Sequence, residues 1–172
     1  MEGIEMYKIG ELFVYGSSGA CKIIDIKNEK FGSSEKTYYI LMPFFDSKET
    51  IFVPVDNEKL VSKMKKTLSP EQMEELIKTI PAKESVWIEN VNLRREEYKK
   101  IISRAQREEL ISLLKTLYER RKELQLIGKN LSAYDEKFLR QVQNIIHSEI
   151  ALVMEISLDE VAPYIEKTIN AA

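Results

Sequence analysis

The hydrophobic pattern of this chain changes period once, near residue 69, and does not change back. Before that point the apolar residues come in short runs rich in Val, Ile, Tyr and Phe. Glu11–Tyr15, Ala20–Ile26, Thr37–Pro43 and Glu49–Val55 are separated by Gly, Ser, Asn and Asp. Short β-branched and aromatic runs between turn residues predict strands. Four or five of them in so short a stretch predict a small β-barrel of SH3 or Tudor type. Gly16-Ser17-Ser18-Gly19 joins two of the runs and reads as a hairpin turn, since no helix N-terminus follows it to hold a phosphate. Pro54 falls at the end of the last run, where a missing N–H costs little.

After residue 69 the spacing is helical. Ser69-Pro70-Glu71-Gln72 is a capping box with proline at the first helical position, and the helix should stop before Pro81. A second helix is expected over Leu93–Ser103. A third, over Ala105–Ile127, carries Leu110, Leu113, Leu114, Leu117 and Leu124 on one stripe. Ser132 and Asp135 open a fourth, Ala133–Met154, with Phe138, Val142, Ile145, Ile146 and Val153 inward. Ser157 and Glu160 form a further predicted capping box before a last helix bearing Val161, Ile165 and Ile169. Strands first and helices second, without alternation, predict an α+β chain of two tandem domains. The expected division is 1–66 for the small barrel and 67–172 for an all-α domain.

Charge and composition narrow the function. The net charge is -2, with -3 on residues 1–60 and +1 on the rest, so neither half is polybasic. No apolar run approaches the ~20 residues of a bilayer span, and Met1–Tyr7 lacks the order of a signal peptide. A soluble, cytoplasmic protein without membrane contact is the expectation. One cysteine, Cys21, excludes an internal disulfide, and one histidine, His147, excludes a histidine-rich metal site. His147 lies mid-helix and reads as a solvated or core-edge residue, not the base of a triad. Glu74-Glu75, Glu96-Glu97 and Glu108-Glu109 fall on polar helix faces and suit intrahelical pairing more than acid–base chemistry. No enzyme, cofactor, metal or small-molecule substrate is predicted.

Two features are less ordinary. Trp87, the single tryptophan, stands in a short segment between helices. It either plugs an interhelix gap or presents an aromatic ring to a base step. Behind it come Arg94, Arg95, Lys99, Lys100, Arg104, Arg107, Lys115, Arg120, Arg121 and Lys122, against only five acidic residues between 94 and 122. Such a cluster suits phosphate contacts, which position a protein without reading sequence.

Taken in order, Tyr7-Lys8-Ile9-Gly10-Glu11, Val14-Tyr15, Gly19-Ala20, Tyr39-Ile40-Leu41 and Phe52-Val53-Pro54-Val55-Asp56-Asn57 resemble the strands of the CarD/CdnL transcription regulators. Trp87 before a basic helix, Leu117-Tyr118-Glu119-Arg120, Ser132 with Phe138-Leu139, and Ser148–Leu152 resemble their helical half. The resemblance implies a Tudor-like domain that binds the RNA polymerase β subunit by pairing strand edges, here through Lys48, Glu49, Thr50, Ile51, Phe52 and Val53. It also implies a helical domain that meets promoter DNA at the upstream edge of the bubble. Trp87 would enter the minor groove, with Asn90, Arg94, Arg95, Lys99 and Lys100 around it, stabilising the open complex without reading sequence. The chain departs from the family pattern at Phe52, where an arginine often stands, and at Glu89-Asn90, where arginines often follow the tryptophan. The alternative from a different class is a protein–protein adapter whose two domains bind two proteins and no DNA.

Overall fold

The computed structural model describes residues 6–171. Of the segment weighed as a targeting signal, residues 1–5 lie outside them. The chain forms two compact units, Met1–Thr67 and Leu68–Ala172.

The first unit is an antiparallel sheet of five strands, β1 (Leu12–Tyr15), β2 (Ala20–Phe31), β3 (Ser34–Pro43), β4 (Ile51–Pro54) and β5 (Met64–Lys66). A single helical turn, α1 (Glu58–Val61), precedes β5 and is capped by the Asn57 side chain. The spatial order is β4-β3-β2-β1-β5, so β4 and β5 are the two edges. Among the described residues no ladder joins them.

The alternation read from the sequence places Phe13, Cys21, Ile23, Tyr39, Leu41, Val53 and Met64 in one buried cluster. Side chains at every second position share a face, so this set follows directly from the pairing register. Opposite Leu41 and Ile40 the register slips between Ile23 and Asp25. Ile24 is the extra residue of a bulge, and it is turned outward. The Gly16–Ser18 turn and Gly19 connect β1 to β2 as a hairpin, with Gly16 and Gly19 both at positive φ. Cys21 is fully buried beneath this turn, and burial, helped by the charge of Glu49, pushes its thiol up to about 12. It therefore packs as a small apolar residue with a weak S–H bond to the Gly19 carbonyl.

Two outcomes differ from expectation. β2 and β3 run well past the predicted ends, as a ribbon from Lys27 to Lys36 closed at Gly32-Ser33. Its residues are mostly polar and exposed, so no hydrophobic alternation marked them. β5, only three residues long with two lysines, also carried no strand pattern.

The second unit is helical: α2 (Pro70–Lys78), α3 (Val91–Arg104), α4 (Arg107–Leu126), α5 (Ala133–Met154) and α6 (Leu158–Asn170). The predicted capping box at Ser69 is present in both directions, Ser69 Oγ accepting from Gln72 N and Gln72 Oε1 from Ser69 N. Ser132 caps α5 as expected, accepting from Asp135 N at 3.1 Å. The box predicted at Ser157 does not form; no side chain caps α6. α3 ends at Ala105, which takes a left-handed conformation. This break is why the third predicted helix starts later than Ala105.

Leu110, Leu113, Leu114 and Leu117 of α4 are buried, as are Phe138, Leu139, Val142, Ile145, Ile146 and Ile150 of α5. These two long helices form the centre of the unit. Tyr98 and Ile102 of α3, Met73 and Ile77 of α2, and Val161 of α6 are also buried. Among the described residues, no helix is long and apolar enough to cross a membrane.

Candidate functional site

The first candidate surface is the free edge of β4. Val55 N donates to Thr37 O at 3.0 Å, and Thr37 follows in register from the Tyr38–Pro54 pair. In an antiparallel ladder the direction of the backbone groups alternates. Ile51, Val53 and Val55 therefore turn their N–H and C=O toward β3, and Phe52 turns its own to the open side. Pro54 has no N–H to offer there. Phe52 is thus the strand residue whose backbone is available to another strand.

The six residues expected on this surface divide accordingly. Lys48, Glu49 and Thr50 lie before the strand, and Lys48 N and Glu49 N donate to Asp46 in a turn. Val53 is fully buried in the core and Ile51 is half-buried against it, so neither side chain is an outward contact. Phe52 remains, 38% exposed, on the face opposite the core. There it meets Phe31 and Tyr38 edge to face, with ring centroids 5.6 and 6.0 Å away, and Phe31 is itself 52% exposed. The exposed aromatic trio beside the edge was not read from the sequence, because Phe31 lies in the ribbon that carried no strand pattern.

The second candidate surface is built around Trp87, in the segment between α2 and α3. The ring is half-buried. The Arg94 guanidinium lies 4.3 Å from its centroid and that of Arg120 lies 5.1 Å away. Two cations on one indole bring together the gap-filling and the surface readings: the ring is held, yet not enclosed.

Arg94 overturns an expectation. It is only 6% exposed, and Asp135, its partner on α5, is 2% exposed. Nε and Nη2 bond the two Asp135 oxygens at 3.1 and 3.0 Å, and Nη1 bonds the carbonyls of Ile88 and Glu89. Its donors are committed to the protein, so Arg94 is not a phosphate contact. It ties the tryptophan segment to the start of α5. Asn90 is exposed, and its side-chain oxygen caps α3, accepting from Leu93 N at 3.0 Å.

Arg95, Lys99 and Lys100 behave differently. Lys99 and Lys100 are exposed, and Arg95 is half-buried with its guanidinium 3.7 Å from the ring centroid of Tyr134. Of the other cations in the basic stretch, several are tied inward. Arg107 grips the buried Glu149 at 2.6 Å, and Lys115 donates to the carbonyls of Pro81 and Lys83. Arg104 pairs with Glu97 and Glu109. Glu74 and Glu75 meet Lys78 within α2, the intrahelical pairing expected, whereas Glu108 of α4 meets Lys83 in the segment before α3. The surface is less basic than the sequence count implies.

Residues 7–65 match the family model described as the CarD-like/TRCF RID domain. The chain carries a CarD-like domain. The match spans β1 to β5 and ends before the helical unit begins. No curated protein matches the chain. The CarD-like domain gives this protein a transcription-related interaction role, with RNA polymerase as the partner class. Within the domain, the open β4 edge and the aromatic trio beside it are the features suited to strand addition.

Proposed function

We propose that this protein is a non-enzymatic regulator of transcription initiation that joins RNA polymerase to promoter DNA. In this reading the Tudor-like N-terminal unit adds a strand of the polymerase β subunit to β4, using the outward backbone of Phe52. Backbone hydrogen bonds supply affinity, and the trio of Phe31, Tyr38 and Phe52 favours apolar side chains on the partner strand. The single observation that carries the proposal is the CarD-like match over the unit that owns this free edge.

The helical unit is proposed to contact DNA at the upstream edge of the bubble, through Trp87 and the outward cations Arg95, Lys99 and Lys100. Trp87 supports this role because its ring is fixed by Arg94 and Arg120 and only partly buried. A pre-positioned ring loses little freedom when it inserts beside a base step. The expected outcome is that Trp87→Ala shortens the lifetime of the open complex while polymerase binding is unchanged. Equal lifetimes for the variant and the wild type would remove the wedge.

The adapter reading draws on the same ring, since a tryptophan stacked on two arginines also serves as a structural plug. Charge reversal at Lys99 and Lys100 separates the readings. A DNA-contacting regulator loses activity, whereas an adapter tolerates the change. Reversal at Arg94 is uninformative, because it breaks a buried ion pair.

A further inference from the structure

We propose that Tyr134 and Arg95 form a second contact with duplex DNA, adjoining Trp87, and that the surface continues along α5 through Lys137 and Arg140. The inference rests on the DNA reading of the helical unit and adds residues to it. Arg94 and Arg95 are consecutive on α3, and Tyr134 and Asp135 are consecutive on α5. Arg94 bonds Asp135 and lies on Trp87, while Arg95 lies on Tyr134. The buried pair therefore joins α3 to α5 at the point where two consecutive α3 residues each hold an aromatic ring.

Tyr134 is 49% exposed, an aromatic residue in the first turn of α5 whose core stripe starts later, at Phe138. The ring supports the Arg95 guanidinium from beneath, which fixes a flexible side chain in place. A phosphate oxygen is the acceptor that suits a guanidinium held in this way. Lys99 lies four residues beyond Arg95 on the same side of α3, and Lys137 lies three residues beyond Tyr134 on α5. Lys99, Lys137 and Arg140 are all exposed. The surface thus has two supported rings and a track of cations on two helices, the combination that follows a nucleic-acid backbone.

The test is fluorescence anisotropy of the full chain on a short duplex, read across a salt series, for wild type, Trp87→Ala, Tyr134→Ala, Tyr134→Phe and Arg95→Ala. Tyr134→Ala is expected to weaken binding about two- to fivefold, and Tyr134→Phe to stay near wild type, since the ring and not the hydroxyl supports Arg95. Arg95→Ala is expected to lower the slope of log affinity against log salt by about one, the loss of one phosphate contact. A loss of folding would not produce that change of slope, and circular dichroism of each variant checks the fold. If Trp87→Ala weakens binding and Tyr134→Ala and Arg95→Ala match wild type, this inference is overturned and the DNA reading stands. If wild type itself shows no binding to the duplex, both fall together.

Discussion

Arg94 and Asp135 decide the geometry of the helical unit at the residue scale. Both are buried, and each satisfies the other through two hydrogen bonds. Removing Asp135 leaves the Arg94 charge in the interior with only two backbone carbonyls and the Trp87 ring beside it. Asp135→Ala is expected to destabilise the protein by about 3–5 kcal/mol, read by urea denaturation. A loss below about 1 kcal/mol, the size of an exposed pair, would show that the two charges are not structurally coupled. The same variant also removes the bond to Ser132 Oγ, which holds Asp135 at 2.8 Å in the first turn of α5.

His147 offers a second test at this scale. It lies on α5, half-buried, with Nε2 lacking a protein partner, and burial lowers its pKa from the ordinary 6.5. A histidine that is harder to protonate in the folded state binds fewer protons there than in the unfolded chain. Its favourable contribution is therefore complete above pH 6.5 and is lost as the pH falls toward the depressed folded value. His147→Gln is expected to flatten the fall in stability on the acid side, measured by thermal melts below pH 6.5. An unchanged slope would mean that other groups set the acid response.

At the element scale, legibility followed burial. α2 and α5 were readable because their caps and apolar stripes agree: Ser69 and Ser132 cap them, and Met73, Ile77, Phe138 and Val142 are buried. The outer part of the β2–β3 ribbon was not readable, since Lys27–Phe31 and Ser34–Tyr38 pair across it mostly as polar, exposed residues with no apolar alternation. In the candidate site, the strand that bears Phe52 was legible from its β-branched and aromatic residues. The roles of Arg94 and Asn90 were not, because burial against Asp135 and the capping of α3 depend on where α5 lies and on one loop conformation. Tyr134 is visible in the sequence as an aromatic residue off the apolar stripe of its helix.

The edge strand yields its own prediction. Phe52 directs its N–H away from β3, so proline at this position removes no bond of the sheet. Phe52→Pro is expected to stay folded, with the CD spectrum of wild type. Unfolding of the variant would contradict the assignment of Phe52 to the outward side of β4.

At the scale of the whole molecule, the proposed function assigns the two units two separable tasks. A sheet with an unpaired edge is a hazard unless something covers it, and a partner strand is one such cover. The polymerase contact should thus depend on the β4 edge and not on Trp87, and the DNA contact on Trp87 and not on β4. The most direct measurement is the affinity of the full chain for the purified RNA polymerase β subunit, comparing wild type with Phe52→Pro. The expected result is binding by wild type and its loss in the folded variant. Equal binding by a folded Phe52→Pro, or no binding by wild type, would contradict strand addition at β4.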